Sequence, residues 1–512
     1  MTVVVLNFGS QYAHLIARRV RELGVYSEIL PHDASAAEIL AKKPRGIILS
    51  GGPSSVYESG APKCDEKLFT LGLPVLGICY GHQLMASTLG GKVEGGHKKE
   101  FGRAELTVSG AKETLFSEIE TEQSVWFSHG DEVIGLPEGF HNAASTLTCA
   151  NAAMADEKRT LYGIQFHPEV QHTQCGNKLL SNFLFKICGV EPTWRVDKNI
   201  ESKVEELKNQ VGGEKVIVGV SGGVDSMVAA ALLHKAIGKQ LHCVFIDTGM
   251  LRKDEVAQVS QALRQQGFEN LHVEDASEDF LQGLKGVIDP EEKRKIIGHT
   301  FIRVFEKIAI RLEQKEKIRF FAQGTIYPDR IESAQPAKQA AKIKSHHNLT
   351  LPEKMNFQII EPLKEYYKDE VRALGGALGL PKAAIERHPF PGPGLAIRIL
   401  GEVTDERLHI LREADAIFTD ELRKSGWYGK VGQAFAALLP VKSVGVMGDA
   451  RTYEYLIALR SVDTSDFMTA DWSKLPAELL EKVSSRIVNE VRGANRVLYD
   501  VTQKPPATIE YE

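Results

Sequence analysis

The chain has 512 residues, of which 62 are Lys or Arg and 67 are Asp or Glu, for a formal net charge of −5. At ~150 residues per domain this length predicts about three domains, each able to bury its own core, and the charge balance excludes an overall basic field of the kind that binds nucleic acid or an anionic membrane. Six cysteines without a CxxC pair exclude a disulfide framework and a zinc site, and leave open whether one of them is a nucleophile. Met1 is followed by TVVVLNFGSQ, without a basic leader, and no apolar run approaches the ~20 residues of a membrane span. The chain therefore reads as cytoplasmic, with no nucleic-acid and no membrane partner.

In chain order, VVVLNF, AHLIARRVREL, RGIILSGG and PVLGICYG alternate short apolar runs with helical patterns, which predicts a layered α/β sheet. Ligands in such sheets gather at strand C-termini. The strand Pro74 to Ile78 runs into Gly77-Ile78-Cys79-Tyr80-Gly81, a G-x-C-x-G elbow. Its glycines tolerate a strained turn that exposes a nucleophile beside helix N–H groups. A second strand, Leu161 to Phe166, ends in His167-Pro168-Glu169. Pro168 biases His167 toward extended geometry, where residues two apart point the same way, so Glu169 falls beside the imidazole. A carboxylate that orients a histidine, which deprotonates a thiol, is the logic of a catalytic triad.

The stretches GICYGHQ and QFHPEV resemble the class I glutamine amidotransferase domain. That resemblance implies its fold and a glutaminase that works through a thioester, with Cys79 as nucleophile, His167 as base and Glu169 as the orienter of the base. It also implies an oxyanion loop at Ser50-Gly51-Gly52-Pro53, where the Gly52 and Tyr80 N–H groups face the thioester oxygen. Gln83 becomes a glutamine contact. Ser128, His129, Gly130 and Asp131 become the grip on the substrate's α-amino and carboxylate groups, with Asp131 as partner of the ammonium. His172 and Cys175 read as structural.

Gly189 to Gly213 carries a proline, mixed charges and one amphipathic helix, the profile of a linker followed by a leading helix. Lys215 to Met227, KVIVGVSGGVDSM, is a valine-rich strand that breaks into Ser221, Gly222, Gly223, Val224, Asp225 and Ser226 before a helical pattern begins. Glycines allow close backbone approach, and the helix's first N–H groups face an anion. The loop is neither a Walker A sequence nor a dinucleotide fingerprint. It resembles the SGGxDS loop of the ATP pyrophosphatases, which implies ATP as co-substrate, split between its α and β phosphates, with Ser221 to Met227 at the nucleotide.

Beside a triphosphate, Asp225 makes sense as a Mg²⁺ ligand, since uncompensated it would repel the phosphates. LHCVFIDTG, a helix near Glu255 to Gln265, LHVEDAS, a long helix after Pro290 and IRFFAQGT predict a second doubly wound sheet, with Asp247 at the edge where such folds hold adenine or ribose. Lys293, Arg294 and Lys295 read as a basic and largely solvated helix face. Tyr327 to Asn356, which includes Lys338, Lys342 and Lys344, reads as a mobile lid.

From about Glu386, HPFPGPGL is too rich in Pro and Gly for a helix or central strand and marks a rigid joint or binding loop. A helix near Glu402 to Lys424, the strands VKSVGVMGD and TYEYLIALRSV, a helix from Pro476 to Arg492 and the strand RVLYDV follow. The expected fold class is thus α/β: two doubly wound, mostly parallel-sheet domains over 1–190 and 191–385, then a small α+β dimerisation domain over 386–512. In this order, the amidotransferase stretch, SGGVDS, HPFPGPGLAIR, GDARTY and KPPATIE resemble the family of glutamine-hydrolysing GMP synthases. The family implies XMP, ATP and glutamine as substrates with Mg²⁺, XMP contacts at Arg294, Arg398, Lys504 and Glu510, and a pyrophosphate contact at Lys368 in YKDEVR; a homodimer is expected separately, because the α+β unit leaves one face to cover and a partner subunit is one way to cover it.

Overall fold

The structure, a computed structural model, describes residues 2–10, 12–170, 172–334, 357–447, 450–464, 467 and 469–512, with the backbone alone at 96–101, 331–334 and 447. It divides into two compact units, Met1–Arg195 and Val196–Glu512. In the first, the strands are β1 (Thr2–Asn7), β2 (Tyr26–Pro31), β3 (Pro44–Leu49), β4 (Val75–Ile78), β5 (Lys92–Val108), β6 (Glu122–Gly135), β7 (His141–Ser145), β8 (Ala153–Asp156) and β9 (Leu161–Ile164). They form one sheet in the order β2-β1-β3-β4-β9-β8-β7-β5-β6. The half from β2 to β9 is parallel, and the half from β9 to β6 is antiparallel. Val3, Val4, Val5 and Leu6 of β1 are all fully buried, as a parallel strand covered on both faces requires.

In the second unit β10 (Lys215–Gly219), β11 (Leu241–Asp247), β12 (Leu271–Asp275), β13 (Ile318–Ala322) and β14 (Gln358–Ile360) make a parallel sheet in the order β12-β11-β10-β13-β14. A second sheet joins β15 (Gln433–Met447), β16 (Ala450–Asp463), β17 (Asp471–Trp472) and β18 (Ala494–Asp500), with β18 parallel to β16. The helices Asp405–Lys424 and Ala477–Glu490 accompany it. One apolar cluster runs through both layers, from Ile217, Val244 and Phe280 to Leu411, Phe418 and Ile457. Polar clasps reinforce it: Arg412 donates to the Leu251 and Gly249 carbonyls at 3.0 and 2.5 Å, and the Leu395 N–H donates to the Met250 carbonyl at 2.8 Å.

Two expectations change. Tyr327–Ala334, placed in a lid, is a helix, while Lys338, Lys342, Lys344 and the rest of that segment lie outside the described residues. Lys293, placed on a solvated face, has a fully buried side chain whose ammonium donates to the Ile399 carbonyl at 2.7 Å and pairs with the Glu512 carboxylate. An ammonium taken out of water must be paired and hydrogen-bonded, and this one is both.

Candidate active sites

The first site grows from β4. Cys79 caps the following helix, Tyr80–Thr88, at φ 53° and ψ −107°, a conformation non-glycine residues avoid. Packing enforces the bend. A Cβ at Gly77 would lie 2.5 Å from the Gly81 carbonyl, and one at Gly81 would lie 2.5 Å from the Leu49 carbonyl, so both positions demand glycine. The Cys79 N–H is tied to Ile164 of β9 at 2.8 Å, which brings the elbow to the strand that leads into His167.

Glu169 is wholly buried and its Oε1 meets His167 Nδ1 at 2.7 Å. The His167 backbone is pinned by Trp126 and Thr173, at 3.0 and 2.6 Å. Burial alone would lower the His167 pKa, but the Glu169 carboxylate and a hydrogen bond with the Cys79 thiol overturn it, so the imidazole titrates well above its ordinary value. The imidazolium is thereby favoured, and with it proton transfer from the thiol. The Cys79 sulfur also lies 3.8 Å from the Ser128 carbonyl.

The glycine loop covers this pair. A Cβ on Gly51 would sit 3.3 Å from His167 Cε1 and 3.6 Å from Cys79 Cβ, and one on Gly52 would meet the Phe8 carbonyl at 2.8 Å and the Tyr80 ring at 3.2 Å. The loop is braced by Ser50, whose hydroxyl accepts from the Phe8 N–H and donates to the Gly51 carbonyl. Ser128 to Asp131 lie in mid-strand on β6. Gln83 Nε2 donates to the Asp131 carbonyl at 2.7 Å and to Gln165 Oε1 at 3.0 Å, so Gln83 and Asp131 are indeed neighbours. His82 is a core residue held neutral, with its pKa lowered to about 3 by burial. His172 packs on Trp126, and Cys175 is a buried thiol whose pKa burial raises to about 11.

The second site lies where β10 ends. Gly222 has φ +76°, and Gly223 caps the helix Val224–Ile237. The two serines brace the turn: Ser226 Oγ accepts from the Ser221 N–H at 3.1 Å, donates to the Gly223 carbonyl at 3.0 Å and lies 3.2 Å from Ser221 Oγ. Val224 and Met227 are buried and anchor the helix, which leaves Ser221 exposed. Asp225 Oδ2 pairs with Lys368, while Oδ1 is buried and without a hydrogen-bond partner among the described residues. Asp247 closes its own turn by accepting from the Gly249 N–H at 2.9 Å.

Sequence reasoning missed several neighbours. Arg387 donates to the Gly222 carbonyl at 3.1 Å and pairs with Glu255 at 2.5 Å, and Gly324 leaves room beside the Ser226 N–H, 3.3 Å from where a Cβ would stand. Arg387 adjoins HPFPGPG, the one signal that could have drawn attention to it.

The remaining residues are brought together in part. Arg398, with a fully buried side chain, makes two bonds to the Glu510 carboxylate, at 3.0 and 2.8 Å, under the Phe435 ring at 4.1 Å. Arg294 donates to the Glu512 carbonyl at 2.5 Å. Lys504 donates to the Phe467 carbonyl at 2.7 Å.

Fold and sites together define a class: a class I glutamine amidotransferase unit followed by an ATP pyrophosphatase unit. Residues 4–187 match the family of class-I glutamine amidotransferases, 196–294 that of NAD synthase, and 420–511 the GMP synthase C terminal domain. Over 511 residues the chain is 56% identical to the glutamine-hydrolyzing GMP synthase of Carboxydothermus hydrogenoformans and 55% identical to that of Aquifex aeolicus. Over 521 residues it is 57% identical to that of Azoarcus sp.. Each match covers 100% of this chain and 99% of the relative. The chain belongs to the family of glutamine-hydrolysing GMP synthases.

Proposed function

We propose that the chain converts XMP to GMP. Glutamine and water give glutamate and ammonia at Cys79; ATP adenylates the oxygen of an XMP carbonyl and releases pyrophosphate; ammonia then displaces AMP. The observation that carries this reading is the pairing, in one chain, of a buried Glu169–His167–Cys79 relay with a strand-loop-helix turn that opens the N-terminus of the helix Val224–Ile237, an end that suits a polyphosphate. At the first site Cys79 attacks the amide, His167 takes and returns the proton, Glu169 fixes the tautomer, and the Gly52 and Tyr80 N–H groups receive the oxyanion. Gln83, Ser128, Gly130 and Asp131 hold the rest of glutamine.

At the second site Ser221 to Met227 cradle ATP, Lys368 meets the leaving pyrophosphate and Asp247 borders the nucleoside. Asp225 fits Mg²⁺: its Oδ1 is a buried carboxylate oxygen with no partner among the described residues. When bound, the ion would neutralise phosphate charge. Arg294, Arg398, Lys504 and Glu510 are assigned to XMP.

We retain 1–190, 191–385 and 386–512 as working domains, a cytoplasmic setting, and a homodimer through the last domain. Support for the dimer is the exposed apolar set Val444, Val446 and Tyr453. No helix among the described residues is long and apolar enough to cross a membrane. The test is Cys79→Ala assayed for AMP with XMP and ATP. Glutamine-driven turnover should vanish while turnover on ammonium salt persists; equal loss of both would refute the two-site assignment.

A further inference from the structure

One polar contact in the first unit lies outside the triad and the oxyanion loop. Tyr57 stands just beyond the glycine loop and its side chain is mostly in water, at 59% exposure, so it adds little to the core. Yet its hydroxyl donates to Asp131 Oδ1 at 2.8 Å, across 74 positions of sequence. Asp131 is also fixed from below. Its carbonyl accepts from Gln83 Nε2 at 2.7 Å and from His129 Nδ1 at 2.9 Å. The backbone contacts thus set the root of this side chain, and Tyr57 sets its tip. The opposite strand runs beside the pair: Gly95 is the register partner of Asp131, and a Cβ there would be in ordinary contact with the Tyr57 oxygen at 3.5 Å and Asp131 Oδ1 at 3.8 Å.

An exposed hydroxyl-to-carboxylate bond is a weak staple for a fold, but it selects one rotamer of the acid it touches. We propose that Tyr57 is a positioning residue for glutamine, holding the Asp131 carboxylate in the rotamer that receives the α-ammonium while occupying only one of its oxygens. The inference rests on the assignment of Asp131 to that ammonium. Tyr57 would then help the site prefer amides that carry an α-ammonium over amides that lack one.

The experiment uses the full chain with XMP, Mg²⁺ and ATP, follows AMP release, and compares glutamine with glutaramate, the same amide without the amino group. Tyr57→Phe removes only the hydroxyl. It is expected to raise the KM for glutamine about 5- to 30-fold with kcat within about twofold, and to move the KM for glutaramate less than about twofold. Asp131→Asn should show the same split more strongly, and in Tyr57→Phe/Asp131→Asn the KM for glutamine should not rise beyond that of Asp131→Asn. Equal effects of Tyr57→Phe on both amides, no effect on either, or additive losses in the double variant would overturn the role of Tyr57 and leave the Asp131 assignment standing. If Asp131→Asn itself fails to separate the two amides, that assignment falls and the inference with it.

Discussion

Glu169 acts from the interior, fully buried, with one oxygen on His167 and the Arg19 guanidinium on its backbone carbonyl at 3.0 Å. Burial alone would push His167 down; because the carboxylate and thiol raise it instead, its folded pKa lies above the 6.5 of the unfolded chain. Stability from that protonated ring is fully present below about pH 6.5 and is lost as pH rises through the folded value. Glu169→Gln removes the carboxylate's part of the shift. Calorimetry across pH should therefore show the melting difference between wild type and Glu169→Gln shrinking from pH 6 to pH 9, and a constant difference would contradict the ion pair. Glutamine-driven kcat at neutral pH should fall on the order of 10²-fold or more, because His167 remains as the base but loses the carboxylate that fixes its tautomer and raises its basicity.

At the scale of elements, the elbow depends on how closely the Cys79 turn approaches β3. Gly81→Ala would drive a methyl into the Leu49 carbonyl, and neither backbone can yield far. Denaturant titration should show a loss of about 1–3 kcal/mol, together with a drop in glutamine-driven turnover larger than the drop with ammonium salt. The elbow, HPE and SGGVDS were legible because their chemistry is packed into contiguous residues whose local geometry is dictated by Gly and Pro. The β5–β6 pair was not, since KVEGGHKKEFGR is polar and glycine-rich and becomes a strand only through its partner. Nor was the first half of β15: AFAALL has no strong strand propensity, and burial of Phe435 and Leu438 decides it. Lys293 misled because its partner Glu512 lies 219 positions away, and Tyr57 and Arg387 were silent for the same reason.

For the whole molecule, the exposed ends of β15 and β16 set the expectation for assembly. Val444 pairs across the ladder with Tyr453, and Val446 lies two residues on, so the three share a face. Val446, at 74% exposure, can accept a charge without disturbing its own fold. If the proposed homodimer forms through this face, the wild type should scatter as a dimer and Val446→Asp as a monomer with a folded melting profile; a monomeric wild type would refute the dimer, and a dimeric variant would move the contact elsewhere.

The continuous apolar cluster of the second unit bears on how such a chain could be divided by evolution. Fission of the gene between Arg195 and Val196 would leave two polypeptides, each with an interior of its own. Fission near Glu386 would put Leu408, Leu411 and Phe418 on one product and Val244 and Phe280, members of the same apolar cluster, on the other, so heredity can separate nitrogen release from nucleotide chemistry far more readily than it can split the nucleotide half.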